Sequence, residues 1–337
     1  MKKRCGQSMD RISQLPDAVL AKILSSLPTT KGVVATAVLS KQWRFLWKMV
    51  PKLTFRYNGG NDIQGFSDSV RRTMLSLEAP YLQSLHLDAS LGEDDRMDGF
   101  GELLGIARGL HVRELVLKLS RPGLNRYPII LDNCQSLETL KLRGSIALEV
   151  PSPVSLTSLR TLHLEDVFYD SESVVNLLSG CVRLENLFVT RNSDDGVETF
   201  TVPAGSIFNQ LEHLQLFTEC LPSWNPLMVL LDNSPNLQVL EIIGEHDRQL
   251  TWKEPKHVPQ CFLHLKKLDW LVRGLTYGEE VAEYILSNAE SLENVILRID
   301  CLYCDGDEDF PEEDRLEVWH DFQAWCPDDC EFELISI

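Results

Sequence analysis

The chain has 337 residues, 44% hydrophobic and 24% charged, which excludes wholesale disorder and leaves room for two or three domains with a large core. The net charge of −18 is unevenly placed: residues 1–56 hold 11 Lys/Arg and 2 Asp/Glu, a net of +9, so the rest carries −27, an acidic body that repels nucleic acid beneath a basic head suited to a different partner. No apolar run is long enough to span a bilayer, no apolar signal core follows "MKKRCGQSMD", and the nine scattered cysteines fit free thiols, so a cytoplasmic and/or nuclear protein without a membrane partner is expected.

The head reads as three short helices. "ISQLPDAVLAKILSSLP" begins at Ile12; Pro16 suits a first helical turn, and Leu20, Ile23, Leu24 and Leu27 form one i, i+3, i+4, i+7 stripe that Pro28 ends. "KGVVATAVL" makes a second helix. Ser40 is a suitable N-cap for a third, which carries Trp43, Leu46, Trp47 and Val50 on one face with Lys41, Arg44 and Lys48 interleaved. A module of this size cannot bury so much apolar surface alone, so part of it must face the rest of the chain or a partner.

From residue 82 a pattern recurs: an apolar residue, two others, an apolar residue, one other, an apolar residue. It reads "LQSLHL" from Leu82, "VRELVL" from Val112, "LETLKL" from Leu137, "LRTLHL" from Leu159 and "LENLFV" from Leu184. "LEHLQL" from Leu211, "LQVLEI" from Leu237, "LKKLDW" from Leu265 and "LENVIL" from Leu292 complete nine copies, spaced by 22 to 30 residues. This is the leucine-rich-repeat period. Each copy opens with a half-buried strand, and helices are expected at "SESVVNLLSGC" from Ser171, "NPLMVLLDNS" from Asn225 and "EEVAEYILSNA" from Glu279, the last with Thr276 as a capping-box residue. The fold class is therefore α/β: a small three-helix head, then a solenoid with an inner parallel sheet and outer helices and loops. Nine strands at about 4.8 Å give an inner wall of about 38 Å. Such repeats commonly place Asn or Cys three residues after the third leucine; only Asn192 fits here, so the repeats are irregular and their hydrogen-bond ladder is an open point.

Several constellations in the chain imitate chemistry. Cys301 and Cys304, with Cys326 and Cys330 farther on and His320 between, have zinc-like spacing, but the intervening loop is acidic and lacks turn glycines; thiols are the preferred reading, and no metal is expected. "GFGELLG" from Gly99 follows no clear strand and reads as a helical turn rather than a dinucleotide loop. "DGDEDFPEED" (305–314) lacks calcium-loop spacing. His86 and His163 fall on strand positions and read as surface residues rather than a catalytic pair.

"LPDAVLAKILSSLP…AVLSKQWRFLW" resembles an F-box of the plant type in order and spacing, from Ile12 to about Phe55, with Gln42 where the family usually has arginine. Residues 150–189 resemble the leucine-rich repeats of plant F-box proteins, and 258–299 resemble the FBD domain that often follows. The resemblance implies an F-box at 9–56, repeats at 57–257 and an FBD-like region at 258–337 that continues the solenoid into an acidic tail. It implies a non-catalytic substrate-recognition subunit of a Skp–cullin–F-box ubiquitin ligase, with a Skp-type adaptor, cullin through that adaptor, and an unknown protein target as partners. The adaptor family is acidic, which agrees with the +9 head. The residues that match the family's docking face are Leu15, Pro16, Leu20, Ile23, Leu24, Val38, Trp43, Leu46 and Trp47, some of which would instead hold the helices together. Family members that bind an inositol polyphosphate have more repeats and a basic floor; this acidic solenoid has none, so no cofactor is expected.

Target contacts are expected on the inner strands beside the buried leucines, at Lys141, Arg143, His163, Phe188, Gln215, Phe217, Val239, Glu241 and Ile243. Phe188, Phe217, Val239 and Ile243 would set apolar groups where water is expected, unless a loop or the tail covers them. A repeat-only interaction scaffold outside any ligase is the competing reading.

Overall fold

The structure, a computed structural model, describes residues 12, 15–60, 62–79, 81–92, 100–123, 126–190, 200–203, 205–218, 221, 223–244, 250–272, 278–299, 312–327 and 329–336, in two compact units, 1–123 and 124–337.

The first unit opens with three short helices, α1 (Asp17–Ser25), α2 (Thr30–Ala35) and α3 (Trp43–Leu46), followed by β1 (Lys52–Asn58), α4 (Ile63–Leu75), β2 (Ser84–Ser90), α5 (Phe100–Gly109) and β3 (Glu114–Ser120). Pro16 stands one residue before α1, and the Thr29 hydroxyl accepts from the Gly32 amide to cap α2. The Ser40 hydroxyl accepts from the Trp43 amide at 3.4 Å, while the residue at the N-cap of α3 is Gln42, whose side chain makes no cap bond. That helix continues as a 3-10 turn over Trp47–Met49. β1, β2 and β3 pair side by side in parallel.

The three helices are stitched to this small sheet rather than freestanding. The Thr54 amide donates to the Thr30 hydroxyl at 2.7 Å, and the Lys48 carbonyl accepts from the Glu78 and Ala79 amides. The sequence-based boundary at 56/57 falls within β1, which pairs with the first repeat strand. "GELLG" lies inside α5, so that motif is helical.

The second unit holds β4 (Tyr127–Ile130), β5 (Thr139–Glu149), β6 (Thr161–Tyr169), α6 (Ser171–Gly180), β7 (Asn186–Thr190), β8 (His213–Phe217), α7 (Asn225–Asp232) and β9 (Val239–Ile243). It continues through β10 (Lys267–Val272), α8 (Glu279–Asn288), β11 (Asn294–Ile299), α9 (Glu312–Trp325) and β12 (Glu331–Ser336). Strands β5 to β12 follow one another in parallel, and β4 pairs with the second half of β5. The α/β repeat class is thus as read from the sequence, and α6, α7 and α8 lie where the patterns put them.

The repeat explains this order. Every one of the three apolar positions in all nine copies is at most 4% exposed. Each such side chain is worth about 1.5–3 kcal/mol on burial. The first leucine also shapes the backbone: the amides of Leu137, Leu159, Leu184, Leu211, Leu237 and Leu292 each donate to the carbonyl three residues earlier, at 3.0–3.4 Å, and close a turn just before the strand. The ladder left open by the missing asparagines runs at this turn instead. The Asn236 amide donates to the Asn209 carbonyl, and the Ser291 hydroxyl to the Leu263 carbonyl, both at 2.8 Å. Asn192, Glu245 and Asp300 lie outside the described residues, as does Thr276. The residue that stands at the N-cap of α8 is Gly278, in the left-handed region at φ 73°.

The sequence pattern missed β1, β4, β12, α4 and α9. In α9, Phe322 meets Trp270 edge-on at 5.8 Å, and Trp270 meets Trp224 at 5.9 Å, extending an aromatic core to the end of the unit.

Candidate functional site

Two surfaces, one in each unit, carry the residues singled out from the sequence. In the first unit the apolar residues of the head divide by face. Leu20, Leu24, Trp43 and Leu46 point inward and are at most 8% exposed, so they assemble the helices. Ile23, Leu15 and Pro16 are exposed, Val38 is 87% exposed, and Trp47 is half-buried. The stripe read as one face is thus split: Leu20 and Leu24, one turn apart, face the core, while Val19, Ile23 and Leu27 face out.

Four residues of the head outside the expected set are exposed as well: Val19, Leu39, Phe45 and Met49 are all more than 40% exposed. Phe45 carries the Lys48 ammonium 5.8 Å from its ring. The signal that could have found Phe45 is its place in the third helix, two residues off the Trp43–Trp47 stripe. Gln42, the departure from the family pattern, donates its side-chain amide to Asp17 at 2.9 Å and ties α3 to the start of α1.

In the second unit the strands align the expected target residues into rungs. Lys141, His163, Phe188, Gln215 and Glu241 occupy consecutive register positions across β5 to β9, and Asp269 continues the row on β10. Phe188 lies between two imidazoles, with ring centroids 5.4 Å from His163 and 4.7 Å from His213. Burial, the largest influence, holds the His163 pKa below its ordinary value; Glu165 opposes this, while Lys141 and Arg143 add to it. His213 Nε2 lies 3.0 Å from Glu241 Oε1, and this hydrogen bond is the main reason the Glu241 carboxyl titrates low.

Arg143 meets Glu165 at 3.0 Å, whereas Lys141 is exposed. On β10 and β11 the Arg298 guanidinium grips Asp269 with two bonds, 2.8 and 3.0 Å, and Asp269 is 8% exposed. Val239 and Ile243 are half-buried and Gln215 is partly accessible. Phe217 departs from the expectation: at 1% exposed, beside buried Thr218, it is enclosed at the end of β8 and offers no surface. The structure therefore brings Lys141, His163, Phe188, Gln215 and Glu241 together in one row and takes Phe217 out of the accessible set. Asp269, which the sequence reading passed over, completes the row, and His213, also passed over, stands two residues before Gln215 on β8, in register with Asn186 and Val239; their signals were the position between the second and third apolar residues and the position just before the second.

His86 Nε2 lies 3.3 Å from Glu114 Oε2, and His163 Nε2 lies 3.8 Å from Glu165 Oε2, each a local contact. Cys181, Cys261, Cys326 and Cys330 are free thiols, and burial pushes Cys326 up to about 12. Cys301, Cys304 and the run 305–311 lie outside the described residues. No cluster of three metal-ligating side chains occurs among the described residues. No described helix is long and apolar enough to cross a membrane.

Comparison with known proteins places family models on three stretches: the F-box domain on residues 12–55, the leucine-rich repeat on 158–181 and FBD on 254–297. Among similar proteins of Arabidopsis thaliana, an F-box/FBD/LRR-repeat protein is 37% identical over 88% of this chain and 92% of its own. An F-box/LRR-repeat protein is 46% identical over 72% of this chain and 79% of its own. An FBD-associated F-box protein is 36% identical over 84% and 87%.

Proposed function

From the premise that the chain belongs to the plant F-box/FBD/LRR-repeat family, we propose that it is the substrate-recognition subunit of a Skp–cullin–F-box ubiquitin ligase. The head docks on a Skp-type adaptor and through it reaches cullin, and the strand face of the second unit holds a protein target for ubiquitination. The protein contributes no catalytic residue; it sets the distance and orientation between target and ligase.

The observation that carries this reading is the split of the head into a closed interior and an open apolar face. With Leu20, Leu24 and Leu46 at 3% exposed or less, the three-helix frame is formed without a partner. Ile23, Val38, Leu39 and Phe45 nevertheless remain exposed, apolar surface that a docking partner would cover. Lys41 and Arg44 are exposed and would speed encounter with an acidic adaptor, whereas Lys48 already pairs with Glu78 at 2.6 Å.

The test is retention of a recombinant Skp-type adaptor by the full chain, beside an Ile23→Asp/Val38→Asp variant. Both side chains are exposed, so the variant keeps its fold and should lose the adaptor. If the wild-type chain does not retain the adaptor, the protein is an interaction scaffold outside the ligase.

A further inference from the structure

The second unit contains an open trough of about 560 Å³, walled by Trp252 and by the outward side of α8. Glu280, Glu283 and Tyr284 recur at i, i+3 and i+4 and so share one helical face. The Trp252 and Tyr284 rings stand 5.5 Å apart at 57°, forming an angled aromatic wall. Tyr284 is held in place: its ring packs at 6.1 Å on Phe262, which is 1% exposed, and its hydroxyl donates to the His257 carbonyl at 3.3 Å. The wall therefore exists before any ligand arrives, which lowers the ordering cost of binding.

The charge around these rings is mostly negative. Glu254, Glu280 and Glu283 line the trough, against Lys253 alone. None of the three carboxylates makes an ion pair among the described residues, and no described cation lies over either ring. Burial, followed by Glu254 and Asp232, holds the Tyr284 hydroxyl above its ordinary pKa. Paired aromatic faces inside a carboxylate rim attract a cation that sheds its water readily, and a quaternary ammonium sheds it most readily. A mineral cation would instead seek converging oxygens.

We propose that this trough binds the ammonium group of a lysine side chain presented by a protein partner, the trimethylated form most tightly, with Trp252 and Tyr284 against the cation and Glu254, Glu280 and Glu283 around it. The proposal does not rest on adaptor docking, because no residue of the head takes part.

The test uses the full chain and a short peptide carrying one trimethyl-lysine, followed by proton NMR of the N-methyl groups. Stacking on the rings should move that resonance upfield and saturably. A neutral peptide with a carbon in place of the nitrogen should bind about tenfold more weakly. Trp252→Ala should abolish the shift. Glu280→Gln/Glu283→Gln, which changes exposed side chains only, should weaken binding several-fold and flatten its salt dependence. Equal binding of the neutral peptide, a shift that survives Trp252→Ala, or full affinity in the double glutamine variant overturns the proposal. So does binding of tetramethylammonium chloride without binding of the peptide, which would assign the trough to a free small cation.

Discussion

Val38 offers the sharpest test of how the head is used. It follows α2 in a 3-10 turn and is 87% exposed, with almost none of its side chain engaged in the fold. Val38→Ala removes two carbon groups, each worth about 0.8 kcal/mol on burial, so full coverage by the adaptor would make the loss about 1.4 kcal/mol once scaled by that exposure. This is about a tenfold rise in Kd. Folding should be almost untouched, within about 0.5 kcal/mol, because nothing in the interior is vacated. Leu24→Ala is the matched control: its side chain is 1% exposed, and the substitution should cost about 2–5 kcal/mol of stability. Biolayer interferometry against a Skp-type adaptor, with thermal melting of the same samples, reads both quantities. If Val38→Ala leaves both Kd and Tm at wild-type values, the exposed face is not the docking face and the reasoning fails.

Other outcomes follow from the second unit. Asp269→Asn should lower stability by about 1–3 kcal/mol in urea denaturation, the cost of breaking a buried pair discounted because the Arg298 side chain is 35% exposed. The Glu241 carboxyl titrates low chiefly because of its bond to His213, so its contribution to stability is present above its unfolded pKa of about 4.3 and fades as pH falls through the lower folded value. His213→Ala should raise the Glu241 titration midpoint, read by carbon NMR, and move the acid loss to higher pH; an unmoved midpoint refutes the assignment. Gly278→Ala should destabilise by about 2 kcal/mol or more, since the position has φ 73° and a methyl group would stand 2.4 Å from Trp224 Cζ2; an unchanged denaturation midpoint would contradict that geometry.

The repeats were legible because leucine spacing reports burial directly. A strand needs alternate residues inside, and the turn before it needs one more, so three positions per copy are constrained together. Helix α9 was hidden because its inward residues, Val318 and Phe322, stand in a run dominated by acidic side chains. The exposed apolar residues of the head were only half legible. A stripe at helical spacing shows that Leu20, Ile23 and Leu24 share a side of α1, but not where the core stops, and that limit depends on residues brought in by α3. Likewise nothing local to Phe217 distinguishes it from Phe188; both follow a buried strand residue, yet one is enclosed and the other lies between two imidazoles.

Gln42 was another residue whose cost the sequence did not state. Its bond to Asp17 does part of what an arginine could do there, and the pair lies near water, where a full ion pair would add at most about 1 kcal/mol.

The turns closed by the first leucine in six of the nine copies have a consequence for how such a protein can be altered. Turn and strand together form a fixed cassette, whereas the return path to the next strand varies: successive copies begin 22 to 30 residues apart while the parallel register continues. Length differences are absorbed on the return path and do not reach the strand face. A reporter or affinity tag carried on the return path would therefore form a side branch, leaving the spacing of the strand-face residues as it was.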